Sequence, residues 1–284
     1  MVRSRLGTLA GLALLALALL LGCGSPGGGP GRLAGPPAKI LMVKGYVLLS
    51  LVAQDKPLAQ TFADRTTYVL GTNGPQATTP TVPGLTGTVV PTADYTSYAT
   101  FAADVASGRV PHSDRAVLFD IEKWSATPLA EQQNPKAYMV RFSALARAHG
   151  LFPILAPARD LVLVHGASCQ KRAGENVAQA YLRCGLPAAD AHAGALVVQS
   201  QVDQSSASQF HHFVVLAARQ ARAGNPHVAV LAQLATAPLG RAASLAELVT
   251  AARSVSGSVQ GFSLNARLTD MQVADHLLWS FKPS

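Results

Sequence analysis

Residues 116–122 read Ala116-Val117-Leu118-Phe119-Asp120-Ile121-Glu122, an apolar run closing on two carboxylates spaced two apart. A short run of this kind, rich in Val, Leu and Phe, fits a strand buried on both faces. A polar loop follows, and then an amphipathic stretch over 135–149 at helical spacing. The same rhythm returns downstream, with apolar runs at 152–156, 195–201, 228–234 and 260–264 and helical stretches at 172–184, 206–223, 244–255 and 270–281. Boundary residues agree with it: Asn134-Pro135 and Ser244 suit helix starts, while Gly150, Gly185 and Gly224 suit helix ends.

Strands that alternate with helices require right-handed crossovers and a parallel sheet. Upstream, 67–71 and 87–91 are further β-like runs, the second followed by a helical stretch at 94–107, and 40–52 supplies another strand. The total is eight, and the span 38–284 matches the usual length of a TIM-like (β/α)8 barrel, which is the α/β fold expected here. The N-terminal half is less regular, because Pro75, Pro80 and Pro83 forbid a helix over 73–86. A seven-stranded or irregular barrel therefore stays open. A doubly wound open sheet is the competitor, but no glycine-rich phosphate loop follows any of the strands.

Ahead of the barrel, residues 1–22 have the layout of a signal peptide: Arg3 and Arg5, then an uncharged Leu/Ala run over 6–21 that is short for a membrane span. Residues 24–37 are nearly all Gly and Pro and can bury no face, so they read as a tether. Composition narrows the function classes. At 49% hydrophobic and 13% charged, the chain is neither a coiled coil nor disordered throughout. Its formal charge of +8 permits contact with anionic lipid or an acidic polymer. No four Lys/Arg residues adjoin, which disfavours a nucleic-acid partner.

The stretch Leu20-Leu21-Gly22-Cys23 resembles the lipobox of bacterial lipoproteins. That resemblance implies cleavage before Cys23, lipidation of its thiol, and a mature chain made of a lipidated tether (23–37) and one barrel domain (38–284). Membrane lipid is then a partner, and the protein is exported and held on the outer side of the bacterial cell membrane. An ordinary secretory signal with an incidental Cys23 is the alternative. In an oxidising compartment the remaining pair, Cys169 and Cys184, reads as a disulfide, closing a loop worth about 3 kcal/mol in the chain-entropy model. With no CxxC and no histidine ladder, no metal and no cofactor are expected.

Period-two alternation puts Asp120, Glu122 and Trp124 on one side of their strand and Phe119 and Ile121 on the other. It likewise groups Gln199, Gln201 and Asp203, pairs Ser263 with Asn265, and sets Gln233 and Asp160 at strand ends. All of these lie at the C-terminal ends of their strands, the face where (β/α)8 enzymes build their sites. Neighbouring buried carboxyls acquire raised pKa values useful to acid catalysis. Asp120 and Glu122 could instead be structural, paired with Lys123 or Arg159. The adjacent Arg159 and Asp160 read as a salt bridge closing the mouth.

The run Val117-Leu118-Phe119-Asp120-Ile121-Glu122 also resembles the end of the D-x-x-D-x-D-x-E signature of chitinase-like glycoside hydrolases, which lies on the fourth barrel strand. The resemblance implies that Glu122 is the general acid and that Asp120 orients a substrate acetamido group. The two earlier aspartates of the signature fall at Arg115 and Leu118. Gln199 and Gln201 are similar to polar residues of that family's sixth strand, and Trp279 to its terminal tryptophan. The expected function is hydrolysis of a polysaccharide or cell-wall glycan, with Glu122 working alongside Asp120, Asp203 or Asp160 and with Trp124, Gln199, Gln201, Gln233, Asn265 and Trp279 contacting the carbohydrate. A non-catalytic saccharide-binding or scaffold lipoprotein is the alternative.

Overall fold

The computed structural model describes residues 38–71, 79–188 and 191–281. The signal segment, Cys23, the tether, Pro75 and the chain's last three residues lie outside that set. Eight parallel strands close in sequence order into one barrel: β1 (Ile40–Lys44), β2 (Thr66–Leu70), β3 (Thr88–Tyr95), β4 (Ala116–Phe119), β5 (Phe152–Leu155), β6 (Ala195–Val198), β7 (Ala229–Ala235) and β8 (Gly261–Asn265). Helices α1 (Gly45–Gln54), α2 (Tyr98–Ala106), α3 (Leu129–Gln133), α4 (Pro135–Ala148), α5 (Val177–Arg183), α6 (Ala207–Gly224), α7 (Leu245–Val255) and α8 (Met271–Ser280) fill the connections. The expected (β/α)8 barrel is present with its full complement of strands. Between β2 and β3 the described residues 79–87 hold no helix, as the prolines there require.

Strand alternation sorts the apolar residues into two sets. Val117, Phe119 and Ile121 face outward into the large core beneath the helices, while Ala116 and Leu118 face inward with Met42, Tyr68, Leu70, Ile154, Val197 and Leu231. Closure between β8 and β1 is tight. A Cβ on Gly261 would lie 1.8 Å from the carbonyl oxygen of Ile40, so only glycine fits where the first and last strands meet.

Several boundaries differ from the sequence expectation, each for a local reason. β3 runs on to Tyr95 instead of ending at Pro91. Pairing with β4 starts at Thr92↔Ala116, so the missing N–H of Pro91 removes no ladder bond on that side. Residues 94–97 are consequently not helical, and α2 starts at Tyr98, capped by the Ser97 hydroxyl. The 40–52 segment divides at Lys44 into strand and helix. The helix expected over 172–184 begins only at Val177, because Gly174 adopts a positive φ and Asn176 and Gln179 form a reciprocal capping box. β4 ends at Phe119 and β6 at Val198, with 201–203 forming a 3₁₀ turn, so the polar pairs at these strand ends sit just above the sheet. The disulfide joins Cys169 to Cys184, tying the loop after β5 to the end of α5.

Candidate functional site

Backbone bonding continues past the end of β4. Asp120 N donates to Tyr95 O and Ala158 N to Ile121 O, both at 2.9 Å, which keeps the chain extended and preserves its alternation. Ile121 therefore stays in the outer core while Asp120 and Glu122 turn to the inside. The same inward phase carries Lys44 at the end of β1, Asp94 on β3, Gln233 on β7, and Ser263 and Asn265 on β8 into one cavity of about 80 Å³ at the C-terminal mouth. Glu122 and Gln201 also line a wider, open cleft of about 580 Å³, whose other walls include Arg159, Asp160, Gln199, Asp203, Leu163 and Leu239.

Gln199 joins the two carboxyls. Its Nε2 lies 3.0 Å from Asp120 Oδ1, 3.2 Å from Glu122 Oε1 and 3.1 Å from the carbonyl oxygen of Ala156. An amide has two N–H donors, so these three acceptors compete for them. The carboxyls are poorly compensated. Burial pushes the pKa of Asp120 well above its ordinary value, reinforced by the charges of Asp94 and Glu122 and opposed by Lys44. Burial raises Asp94 to about 6, with Lys44 opposing and Glu122 adding. Glu122 is raised too, first by burial and then by Asp160, against the Gln199 hydrogen bond and Lys44. Burial displaces all three acids upward beside one lysine, the direction a general acid needs in order to hold its proton.

Asp94 and Lys44 are the members of this cluster that sequence reasoning missed. A signal for Asp94 was present in the alternation Val90, Thr92, Asp94, but ending the strand at Pro91 hid it. Lys44 lay inside a segment read as one continuous strand, which concealed its place at a strand end.

The remaining expected residues divide. Asp160 stays beside Glu122 on the cleft wall, its Oδ1 accepting from Lys123 N at 3.1 Å. Trp124 is half exposed on the loop after β4, its indole N–H donating to Thr127 Oγ1 at 2.8 Å. Arg159 takes Asp203 as its ion-pair partner, not the adjacent Asp160, and stacks over Phe213 at 4.6 Å. Asp203 is thereby held away from Asp120, because the 3₁₀ turn at 201–203 breaks the alternation that would have grouped it with Gln199. Trp279 is not at the mouth. It lies on α8, packs on the outer core and donates to Asp55 Oδ2 at 2.7 Å, because helix periodicity and not strand alternation sets its direction.

No protein-family model matches this chain, and no curated protein does. Solved structures do. The PgaB (BpsB) glycoside hydrolase domain from Bordetella bronchiseptica matches with a TM-score of 0.50 at 9% identity, over 86% of this chain and 99% of that one. A chitinase from Chromobacterium violaceum matches at 0.48 and 14% identity, over 86% and 98% of the two chains. A sugar phosphate isomerase/epimerase from Parabacteroides distasonis matches at 0.48 and 8%, over 87% and 97%. At such identities the likeness to the Bordetella domain is one of fold, the (β/α)8 barrel, and activity has to be argued from the residues.

Proposed function

We propose that this protein is a glycoside hydrolase whose general acid is Glu122. The observation that carries the reading is the convergence of Asp94, Asp120 and Glu122 on the inner C-terminal mouth, beneath an open cleft large enough for sugar rings. Glu122, whose carboxyl burial holds above the usual range, gives its proton to the glycosidic oxygen as the bond to the anomeric carbon breaks. Positive charge then grows on the sugar ring and favours the ionised form of Asp120, which stabilises it; water adds to the anomeric carbon and returns a proton to Glu122. Gln199 fixes both carboxyl groups. Gln201, Gln233 and Asn265 supply amides to substrate hydroxyls, and Trp124 offers a ring face at the rim. Asp160 tunes Glu122 from the cleft wall.

The expected place of action follows from the N-terminal reading: an exported lipoprotein, acylated at Cys23 and tethered by 24–37, would hold the barrel (38–284) close to cell-surface glycans. The Glu122→Gln variant tests the activity on purified cell-wall and exopolysaccharide glycans, with products separated by chromatography. Loss of turnover by at least about a hundredfold with retained binding is expected, the usual contribution of a positioned acid. Binding with no turnover in either protein would instead leave a saccharide-binding lipoprotein.

A further inference from the structure

The 80 Å³ cavity under Glu122 carries an excess of hydrogen-bond acceptors. Asp94, 3% exposed, lines it, and its buried Oδ1 has no protein partner among the described residues; the Oε1 atoms of the lining Gln201 and Gln233 are buried and unpartnered as well. Asp120 and Glu122 add further acceptors, and the Gln199 amide they share is already divided among three oxygens. Against them stands one cationic side chain, Lys44. A buried acceptor left unpaired is destabilising, so the cavity suits a group that brings donors.

Size and donor type narrow that group. A water occupies about 30 Å³ of liquid, so the cavity takes a substituent of a few heavy atoms while the ring that bears it sits in the wider cleft above. A hydroxyl can pair with Ser263, Lys44 and the lining amides, but it brings one donor and no charge to three carboxyls that face one lysine. A protonated amine donates three times, accepts nothing, and offsets the surplus of carboxyls over lysine.

We propose that this cavity is a subsite for a protonated amino group, so that the ligand is a glycan whose sugars carry free amines in place of acetamido groups or hydroxyls. The inference rests on the saccharide reading of the cleft and names its substrate class. Arrival of the cation favours the ionised forms of Asp94 and Asp120, so binding releases protons.

Methyl glycosides of glucosamine and galactosamine, each beside its N-acetylated and its 2-hydroxyl counterpart, test this by calorimetry and ligand-observed NMR at pH 6. The free amines are expected to bind at least about tenfold more tightly than either counterpart, with a heat that varies with the buffer's ionisation enthalpy as protons leave. Asp94→Asn should reduce the amine preference to less than about twofold, read as the ratio of amine to hydroxyl affinities within that variant. Equal affinities, a preference for the acetamido sugars, absence of binding by all, or a heat independent of buffer in the wild-type protein would each overturn the inference. Cleavage of N-acetylated oligomers without amine preference would sink it while leaving the hydrolase reading intact. Amine preference with no cleavage of any oligomer would leave the subsite standing and sink the hydrolase reading.

Discussion

Gln199 lies 79 residues from Asp120 along the chain, yet its Nε2 is 3.0 Å from the Asp120 Oδ1. The contact spans the end of β5 and links two strand ends that the barrel alone brings together. Its hydrogen bond to Glu122 holds that carboxyl lower than burial would leave it. Gln199→Leu is therefore expected to raise the Glu122 pKa and carry the alkaline limb of the pH–rate profile to higher pH, since a general acid is active while protonated. The variant should also lose about 1–3 kcal/mol of stability, because two buried carboxyls lose a donor. A pH–rate profile with denaturant unfolding checks both.

Asp94 makes stability depend on pH. Its folded pKa, about 6, lies above the unfolded value, so the folded state binds more protons in between. This group's contribution is complete below pH of about 4, falls as pH rises toward about 6, and is flat above that. Asp120, raised by the same burial, extends the decline in the same direction. Asp94→Asn should remove the Asp94 part of the slope and be more stable than the wild type at pH 7.5, by roughly 2–3 kcal/mol from the shift. Melting curves at pH 4, 5, 6 and 7.5 test the sign; a wild type that gains stability over the same range relative to the variant would refute it.

Arg159, Asp203 and Phe213 pin the wall of the cleft to α6. Asp203→Asn is expected to lower the melting temperature through loss of this partly buried pair, about 1–3 kcal/mol, while leaving turnover within about threefold, less than one kcal/mol of barrier. A loss of turnover comparable to that of Glu122→Gln would instead make Asp203 an acid of the reaction.

The disulfide closes the segment 169–184 beside the cleft. Replacing both cysteines with serine should cost about 3 kcal/mol in the chain-entropy treatment, seen as a lower denaturant midpoint. Dithiothreitol should lower the wild-type midpoint to the variant's and leave the variant itself unmoved.

Lipid attachment is checked in the cell. Cys23→Ser should end incorporation of labelled palmitate and move the protein out of the membrane fraction. Unchanged fractionation without label would leave the basic signal segment, not an acyl anchor, as the cause of membrane association.

The strand–helix rhythm from 116 onward, the glycines and caps that end its helices, and the two cysteines pointed to a (β/α)8 barrel and its disulfide while leaving a seven-stranded or irregular barrel open, because periodicity and turn chemistry are local properties written in adjacent residues but closure of the sheet is not. Glu122, Asp120 and Gln199 could also be placed at strand ends by alternation alone. The amino-acid order could not decide that Asp94 and Lys44 join them, that Asp203 belongs to Arg159, or that Trp279 turns to the outer layer. Those outcomes depend on where each strand stops and on which residue stands beside it across the closed sheet, and only the folded ring fixes both for residues so far apart in the chain.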